Sequence, residues 1–295
     1  MKPAPAFVQF VGRLGRLPRR TLTEARLIWL RLANRWSNRS VLGRVDAVVS
    51  LTTYGERFRK VHLAIESIAR GTERPKRLIL WLDEADLLAN PTPQVARLQR
   101  RGLELRITTN YGPHKKYFPA LGLVQRSGIS RLVTADDDTL YPSGWLRDLD
   151  RVAACHPGDV VCHRARVLQL ASDGILPWDR WPECSSSAPS LTHFGIGDAG
   201  ISYPRELVDA LSRRGAAFAD HAPNADDVWL HATAVSGGVA TRQVSARPAR
   251  PVGVPGTQRT ALRTQNVAGG RNDAQIRATY TDADIEALRK VHGNG

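Results

Sequence analysis

The chain has 295 residues, with 42 Lys and Arg against 28 Asp and Glu, which gives a formal charge of +14. Hydrophobic residues make up 42% of the sequence, enough for a core of ordinary size, so wholesale disorder and a disulfide-stapled miniprotein are excluded. No segment approaches the roughly 20 apolar residues that a membrane span needs. Cys155, Cys162 and Cys184 lack CxxC spacing, so we expect buried free thiols and a reducing cytoplasm.

The positive charge is concentrated at the two ends of the chain. Residues 1–40 carry nine basic and one acidic side chain, residues 41–241 carry 24 and 23, and residues 242–295 carry nine and four. We therefore predict a basic N-terminal arm over 1–43, a globular domain over 44–241 and a basic C-terminal extension over 242–295 that ends in a helix. This asymmetry favours a polyanionic partner near the ends. The balanced middle argues against a nucleic-acid groove.

The N-terminal arm contains a predicted amphipathic helix over 21–39. Arg31, Arg35 and Arg39 repeat every four residues. Two interpretations stay open: residues 1–40 lie in the interface of an anionic membrane, or the helix docks on its own domain with a solvated arginine face. The apolar residues that recur at helical spacing are Leu22, Ala25, Trp29, Leu32, Ala33 and Trp36.

After Gly43, strands alternate with helices. This alternation predicts a mostly parallel sheet with helices on both faces, in which ligands bind at the carboxyl ends of the strands. Thr92 and Pro93 are typical of a helix start. The predicted strands are 45–51, 77–82, 103–108 and 131–135, and the predicted helices are 61–69, 93–102 and 118–126.

The second half of the chain is less regular. Residues 174–191 are rich in Pro, Ser and Trp and predict a long loop, and residues 246–270 predict irregular surface structure. Thr281 is the expected cap of the last helix, which runs to about Val291. The other predicted helices are 143–155, 204–213 and 226–235, and the predicted short strands are 159–162 and 166–170.

Three consecutive carboxylates, Asp136, Asp137 and Asp138, follow the predicted strand 131–135. Because neighbouring negative charges repel each other, something cationic must stabilise them. Mg²⁺ or Mn²⁺ is the simple answer, since these ions take one or two carboxylates and share their other positions with substrate phosphates. The alternative interpretation is a solvated acidic turn.

Two further segments carry charge at places where the predicted sheet would end. Lys115 and Lys116 close a turn that Gly112-Pro113 shapes after the third strand, where they would face the acidic run. Asp226 and Asp227 open the helix 226–235. In the functional interpretation, one carboxylate of the pair is a general base. The plainer alternatives are a basic surface turn for the lysines and, for the acidic pair, carboxylates that only complement the helix dipole.

Taken together, these segments resemble the nucleotide-sugar-dependent glycosyltransferases of the GT-A fold, close to the bacterial family-two-like enzymes. The match spans about residues 45–235. The resemblance implies a GT-A-like, Rossmann-like α/β fold with an irregular acceptor half and basic terminal extensions. The segments that carry it are 48–54 with Arg57, 80–83, the Gly-Pro-x-x-Lys turn, the Asp-Asp-Asp-x-x-Tyr-Pro run, the glycine-rich stretch 197–204 and the Asp-Asp pair.

The resemblance assigns roles to individual residues. It implies that Asp136 and Asp138 hold Mn²⁺ or Mg²⁺, and that Asp227, or alternatively Asp226, is the catalytic base. The pair is Asp-Asp where this family more often has Glu-Asp, which leaves the identity of the base open and weakens the inference of inversion. The residues expected to bind the donor are Thr52, Tyr54, Arg57, Asp83, Lys115, Lys116, Asp136, Asp137 and Gly200.

The expected activity is transfer of a sugar from a nucleoside-diphosphate sugar to a hydroxyl of a saccharide or lipid-linked acceptor. Bacterial envelope polysaccharide or glycolipid synthesis is the expected context, in the cytoplasm or peripherally on the inner face of the membrane. No Gln-x-x-Arg-Trp motif is present, which favours single addition over polymerisation. For Trp178 and Trp181, two roles stay open: stacking on a sugar ring, or a structural role in the core. The rival functions are a metal-dependent nucleotidyl or phosphoryl transferase and a non-catalytic, membrane-associated binding protein.

Overall fold

The computed structural model describes residues 19–172, 174–248, 251–257 and 271–292. The strands are β1 (Val45–Thr52), β2 (Pro75–Leu82), β3 (Leu103–Ile107), β4 (Arg131–Thr134), β5 (Thr139–Leu140), β6 (Val160–Cys162), β7 (Ala165–Val167), β8 (Leu170–Ala171), β9 (Gly174–Ile175), β10 (His193–Gly195), β11 (Ile201–Pro204), β12 (Thr241–Gln243) and β13 (Val252–Gly253). The helices are α1 (Arg19–Trp36), α2 (Val61–Ala69), α3 (Ala85–Ala89), α4 (Pro93–Arg100), α5 (Phe118–Ser127), α6 (Trp145–Cys155), α7 (Arg205–Arg214), α8 (Phe218–His221), α9 (Asp226–Ser236), α10 (Arg271–Thr279) and α11 (Asp282–His292).

A seven-stranded sheet forms the centre of the fold, in the order β12-β6-β11-β4-β1-β2-β3. β1 pairs in parallel with β2 and β4, β2 with β3, and β6 with β12. β11 alone runs antiparallel within this sheet, to β4 on one side and β6 on the other. The predicted α/β class with a mostly parallel sheet is therefore confirmed.

Helices cover both faces of the sheet because successive residues of the buried strands point to opposite sides. Val48 and Ile79 pack with α5, α7 and α9 in one hydrophobic cluster. Val49 and Leu80 pack with α2, α4 and α6 in the other. The carboxyl ends of β1, β2, β3 and β4 meet at one edge, and the loops that leave this edge carry the charged residues.

The first half of the chain follows its sequence pattern closely. The observed helix α2 has the predicted bounds, and the hydroxyl of Thr92 accepts the backbone N–H of Val95 (3.3 Å), which caps α4 as expected. Gly128 adopts a left-handed conformation (φ 68°) and ends α5. Elements within residues 45–140 that the sequence did not predict are short: α3, β5 and two 3-10 turns, Gly55–Arg59 and Gly112–Lys116.

The second half departs further from the prediction. The predicted strand 166–170 is divided between β7 and β8, and the predicted loop 174–191 contains β9 and a 3-10 turn at Trp178–Arg180. The predicted irregular stretch 246–270 includes β13, while residues 249–250 and 258–270 lie outside the described residues. Cys162 and Cys184 are buried free thiols, but Cys155 is exposed because it is the last residue of α6.

The N-terminal helix docks on its own domain. Leu27, Leu30 and Asn34 are buried against α2, α4 and the strand β5. Of the two interpretations that the sequence left open, docking is therefore observed for residues 19–36. Trp29 and Trp36 nevertheless remain exposed. None of the helices within the described ranges is both long and apolar enough to cross a bilayer.

Candidate active site

The charged side chains singled out by sequence lie in the loops at the carboxyl edge of the sheet. Asp136–Asp138 directly follows β4. The loop after β1 supplies Thr53, Tyr54 and Arg57, and the 3-10 turn after β3 supplies Lys115 and Lys116. The helix α9 brings Asp226 and Asp227 to the same place with its N-terminal turn.

Asp137 is the buried centre of the acidic run, with 6% of its surface exposed. The hydroxyl of Thr53 donates to its Oδ2 at 2.5 Å, and Nη2 of Arg57 lies 2.5 Å from its Oδ1. Burial raises the pKa of Asp137 to about 7; the charges of Asp138 and Asp136 add to this, while Arg57 and Thr53 oppose it. Asp137 is thus fixed in place by the loop that follows β1.

The carboxylates on either side of Asp137 are more accessible. Asp138 pairs with the same Arg57 nitrogen at 2.6 Å, and burial together with the charge of Asp136 raises its pKa. Asp136 has about a quarter of its side chain exposed, and its backbone N–H donates to the buried hydroxyl of Tyr141 at 2.7 Å. These contacts hold the backbone of the run while leaving the outer carboxylates near the surface.

Lys116 connects the acidic run to the acidic pair on α9. Its Nζ lies 3.2 Å from Oδ1 of Asp136 and 2.8 Å from Oδ2 of Asp226, and only 9% of its side chain is exposed. Burial alone would lower the pKa of Lys116. The charges of Asp136, Asp226 and Asp227 outweigh that effect and raise the pKa well above its usual value. The lysine therefore stays charged and neutralises part of the site.

Asp227 is held differently from Asp226. Its Oδ2 accepts the backbone N–H of Gly197 at 3.0 Å, and its Oδ1 is buried and accepts no hydrogen bond from the residues that the structure describes. Burial first, and the charge of Asp226 second, raise the pKa of Asp227 to about 7, although Lys116 and Gly197 lower it. A Cβ on Gly197 would lie 2.8 Å from both Asp227 Oδ1 and Lys116 Nζ, so a larger residue there would displace them.

A second charged group adjoins the first through Tyr54. Lys115 is buried and forms an ion pair with Asp83, at the end of β2, with 2.6 Å between Nζ and Oδ1. The ring of Tyr54 lies 6.0 Å from Nζ of Lys115 and 5.5 Å from the guanidinium carbon of Arg57. The two neighbouring lysines thus serve different carboxylates, and Tyr54 spans the gap between Arg57 and Lys115.

Two of the residues predicted to bind the donor, Thr52 and Gly200, contact other parts of the protein. The hydroxyl of Thr52 donates to the backbone carbonyl of Trp81 at 3.1 Å. Gly200 has a positive φ of 91°, and a Cβ there would lie 2.5 Å from the indole of Trp145, so glycine is required by packing as well as by conformation. Trp181 is buried in the hydrophobic core and Trp178 packs against it, which supports the core interpretation of these two residues.

The sequence assigned no individual role to Thr53, Gly197 or Tyr141. Each belongs to a segment that carries a recognisable signal: a hydroxyl at a strand end, a glycine-rich stretch, and the Tyr-Pro that follows the acidic run. Their contacts with Asp137, Asp227 and Asp136 depend on tertiary packing. They support the charged residues and position them.

The donor set suits an oxygen-preferring divalent ion that is shared with a substrate. Within the described ranges, no three His, Cys, Asp or Glu side chains come together as a metal site. Asp136 and Asp138 offer carboxylate oxygens at the surface of the edge, with 28% and 14% of their side chains exposed. One or two carboxylates are what Mg²⁺ takes when phosphates complete its coordination, so these residues fit such an ion.

Comparisons with known proteins identify the fold. No family model and no curated protein matches the sequence. Among solved structures, the mannosyltransferase PcManGT from Pyrobaculum calidifontis, in complex with GDP-Man and Mn²⁺, is similar with a TM-score of 0.52 and 16% identity, over 90% of this chain and 76% of that one. A CMP:2-keto-3-deoxy-manno-octonic acid synthetase complexed with CTP has a TM-score of 0.42 and 11% identity, over 74% and 98%, which is too low to support an argument. The chain therefore has a GT-A-like α/β fold.

Proposed function

We propose that this protein is a glycosyltransferase that moves a sugar from a nucleoside-diphosphate sugar to an acceptor hydroxyl with the help of a divalent ion. The observation that carries the proposal is the contact of one buried lysine, Lys116, with both Asp136 and Asp226. It brings a metal-suited acidic run together with the acidic pair on α9, which contains the candidate base, at the edge of an α/β sheet where ligands bind. The GT-A-like fold of the chain supports the same reaction class.

The donor half of the proposed reaction belongs to the acidic run. Asp136 and Asp138 would hold Mn²⁺ or Mg²⁺ on the diphosphate, and the ion supplies charge neutralisation for the departing nucleoside diphosphate. Arg57 and Lys116 are the cations closest to these carboxylates, at 2.6 Å and 3.2 Å. They would bind phosphate oxygens once the carboxylates are engaged by the ion.

The nucleoside would lie beside the second charged group. Asp83 ends β2 as a carboxylate fixed by Lys115, which orients it as an acceptor for a ribose or base donor. Tyr54 offers a ring with about a third of its surface exposed next to this pair. Thr52, Asp137 and Gly200 would shape the pocket through the backbone they hold, since their own contacts are with the protein.

Asp227 is the stronger candidate for the catalytic base. Asp226 is committed to an ion pair with Lys116, whereas Asp227 accepts a backbone N–H and keeps a pKa of about 7. A general base works best when its pKa is close to the working pH. Proton removal from the acceptor by Asp227 during direct attack on the sugar would make the transfer inverting.

The acceptor is proposed to be a saccharide or a lipid-linked saccharide of a bacterial envelope, and the protein a peripheral one at the inner face of the membrane. The excess of eight positive charges in residues 1–40 supports an anionic surface near this end of the chain. Transfer of single sugars fits the lack of a processive Gln-x-x-Arg-Trp motif in the sequence.

The test is a turnover panel of nucleoside-diphosphate sugars, each with Mn²⁺, with Mg²⁺ and with EDTA, in which the released phosphate compound is identified. We expect one donor to be consumed with release of a nucleoside diphosphate in the presence of the metal only. A parallel panel supplies nucleoside triphosphates with sugar phosphates. Release of pyrophosphate there, with no reaction of any nucleotide sugar, would contradict the proposal and establish a nucleotidyl transferase.

A further inference from the structure

The N-terminal helix α1 has two apolar stripes, and only one of them is used by the fold. The inner stripe is formed by Leu27 and Leu30, which lie about one turn apart and are both buried. Leu27 and Leu30 pack with Leu63, Leu140 and Val254 in a small cluster of their own. This stripe accounts for the docking of the helix on the domain.

The outer stripe lies on another side of the same helix and faces solvent. Its exposed fractions reach 50% for Trp29 and 68% for Trp36. At 3.6 residues per turn, the outer stripe is centred roughly 160° around the helix from the inner one. Exposed large apolar side chains at such regular spacing are unusual on a protein surface and mark a binding face. The outer stripe consists of Leu22, Ala25, Ile28, Trp29, Leu32 and Trp36.

Arginines border the outer stripe. Arg31 and Arg35 are exposed on the same helix, and Arg39 is exposed just beyond its end. The guanidinium carbon of Arg35 lies 5.8 Å from the ring centroid of Trp36, and that of Arg70, on the domain surface, lies 5.5 Å from the ring centroid of Trp29. The tryptophans therefore lie within a basic border that the domain itself helps to form.

We propose that the outer stripe of α1 binds the interface of an anionic lipid bilayer, with the helix lying in the membrane plane. Tryptophan and leucine bury in the region between headgroups and acyl chains, while arginine stems extend their charges to the lipid phosphates. An apolar protein partner would not need the arginine border, whereas anionic lipid attracts each basic residue by about 1 kcal/mol. This inference deepens the membrane location given under the proposed function by naming the surface that would bind, and it does not depend on the transfer reaction.

The inner side of α1 is bonded to the segment that follows the acidic run. The guanidinium of Arg26 donates to the backbone carbonyls of Leu140 at 3.4 Å and Tyr141 at 2.5 Å. These carbonyls are two and three residues after Asp138. A bilayer bound to the outer stripe would therefore lie within about one helix width of this part of the candidate site.

The experiment measures binding of the full chain to vesicles of phosphatidylcholine with and without one quarter phosphatidylglycerol, by co-sedimentation and tryptophan emission. We expect binding that needs the anionic lipid, with a blue shift of the emission. The double variant Trp29→Ser/Trp36→Ser should lower the partition coefficient at least about tenfold and lose the shift. The double variant Arg31→Gln/Arg35→Gln should lower it about 25-fold, that is, about fivefold per residue.

A matched control removes the same charge elsewhere. Arg213 and Arg277 are exposed on α7 and α10, helices that belong to the hydrophobic cluster of Val48 and Ile79. The control Arg213→Gln/Arg277→Gln should leave vesicle binding within about twofold. Equal losses in control and test variants would reduce the effect to net charge and overturn the proposal. Failure of the wild-type chain to bind vesicles would also overturn the proposal. The same holds if the tryptophan variant changes only the self-association of the protein, as measured by light scattering, and not its vesicle binding.

Discussion

Replacement of Lys116 by methionine tests whether this lysine holds the candidate site together. Methionine keeps a straight side chain of similar length, so packing changes little, but the positive charge between Asp136 and Asp226 is lost. Asp136, Asp226 and Asp227 then face one another without the lysine; Asp226 and Oδ1 of Asp227 are buried, and about a quarter of Asp136 is exposed. Removal of one partner from a buried ion pair costs about 3–5 kcal/mol of unfolding free energy, and we expect a loss of that size at pH 8.

The loss should shrink as the pH falls. Lys116 lowers the pKa of Asp227, so without the lysine this pKa rises further above that of the unfolded chain. The folded state then binds more protons than the unfolded state between about pH 4 and the raised value. Folding of the variant is therefore favoured by acid, relative to wild type at the same pH. Asp227 already has a pKa of about 7 with the lysine present, so pH 5 lies within this range.

The assay is urea unfolding of wild type and variant at pH 8 and pH 5. Lys76→Met is the matched control, because Lys76 pairs with Asp46 at the surface, where both side chains are about half exposed, and such pairs contribute at most about 1 kcal/mol. A Lys116→Met variant that loses no more stability than the control, or that loses the same amount at both pH values, would refute the electrostatic role of Lys116.

Three further substitutions test individual contacts. Asp227→Asn should keep donor binding but lower turnover at least about 100-fold. In the wild type, kcat/KM should fall with unit slope below about pH 7, because Asp227 becomes protonated there. A flat pH profile would disprove the assignment of Asp227 as the base. Gly197→Ala, whose Cβ would lie 2.8 Å from Oδ1 of Asp227, should lower turnover more than tenfold in steady-state assays, while Gly158→Ala, which meets open space, should not. Tyr141→Phe removes the acceptor of the Asp136 backbone N–H and should lower unfolding free energy by about 1–3 kcal/mol in urea titrations; no change would show that this contact is dispensable.

Long, periodic segments could be predicted from sequence because burial on one or two faces leaves a pattern. The helix Val61–Ala69 and the strand Val45–Thr52 are examples, and their bounds agree with the predicted 61–69 and 45–51 to within one residue. Strands of two or three residues, such as β8 and β9, are too short to show a period. Their existence depends on pairing partners that only the tertiary fold supplies.

The N-terminal helix shows a second limit. Its sequence contains two apolar stripes, and the richer one, with Trp29 and Trp36, attracts attention first. The fold instead buries Leu27 and Leu30, because these residues face the groove between α2, α4 and β5. Periodicity predicts the helix, but only the packing of the domain selects the side that docks.

The candidate site was predictable as a place but not as a set of contacts. Parallel strands end at one edge, so the acidic run and Lys116 were expected to meet, and they lie 3.2 Å apart. Lys115 points elsewhere, to Asp83, since successive residues of a 3-10 turn are about a third of a turn apart. The support that Thr53 gives Asp137 joins residues 84 positions apart and leaves no local signal.

The most direct test of the proposed site is calorimetric titration of a nucleoside diphosphate into the protein, with Mn²⁺ and with EDTA, for wild type and Asp138→Asn. If Asp136 and Asp138 share a divalent ion with the diphosphate, Mn²⁺ should tighten wild-type binding at least about tenfold, and the folded variant should lose most of that gain. Equal affinities with Mn²⁺ and with EDTA, or a variant that responds to Mn²⁺ as wild type does, would contradict the account.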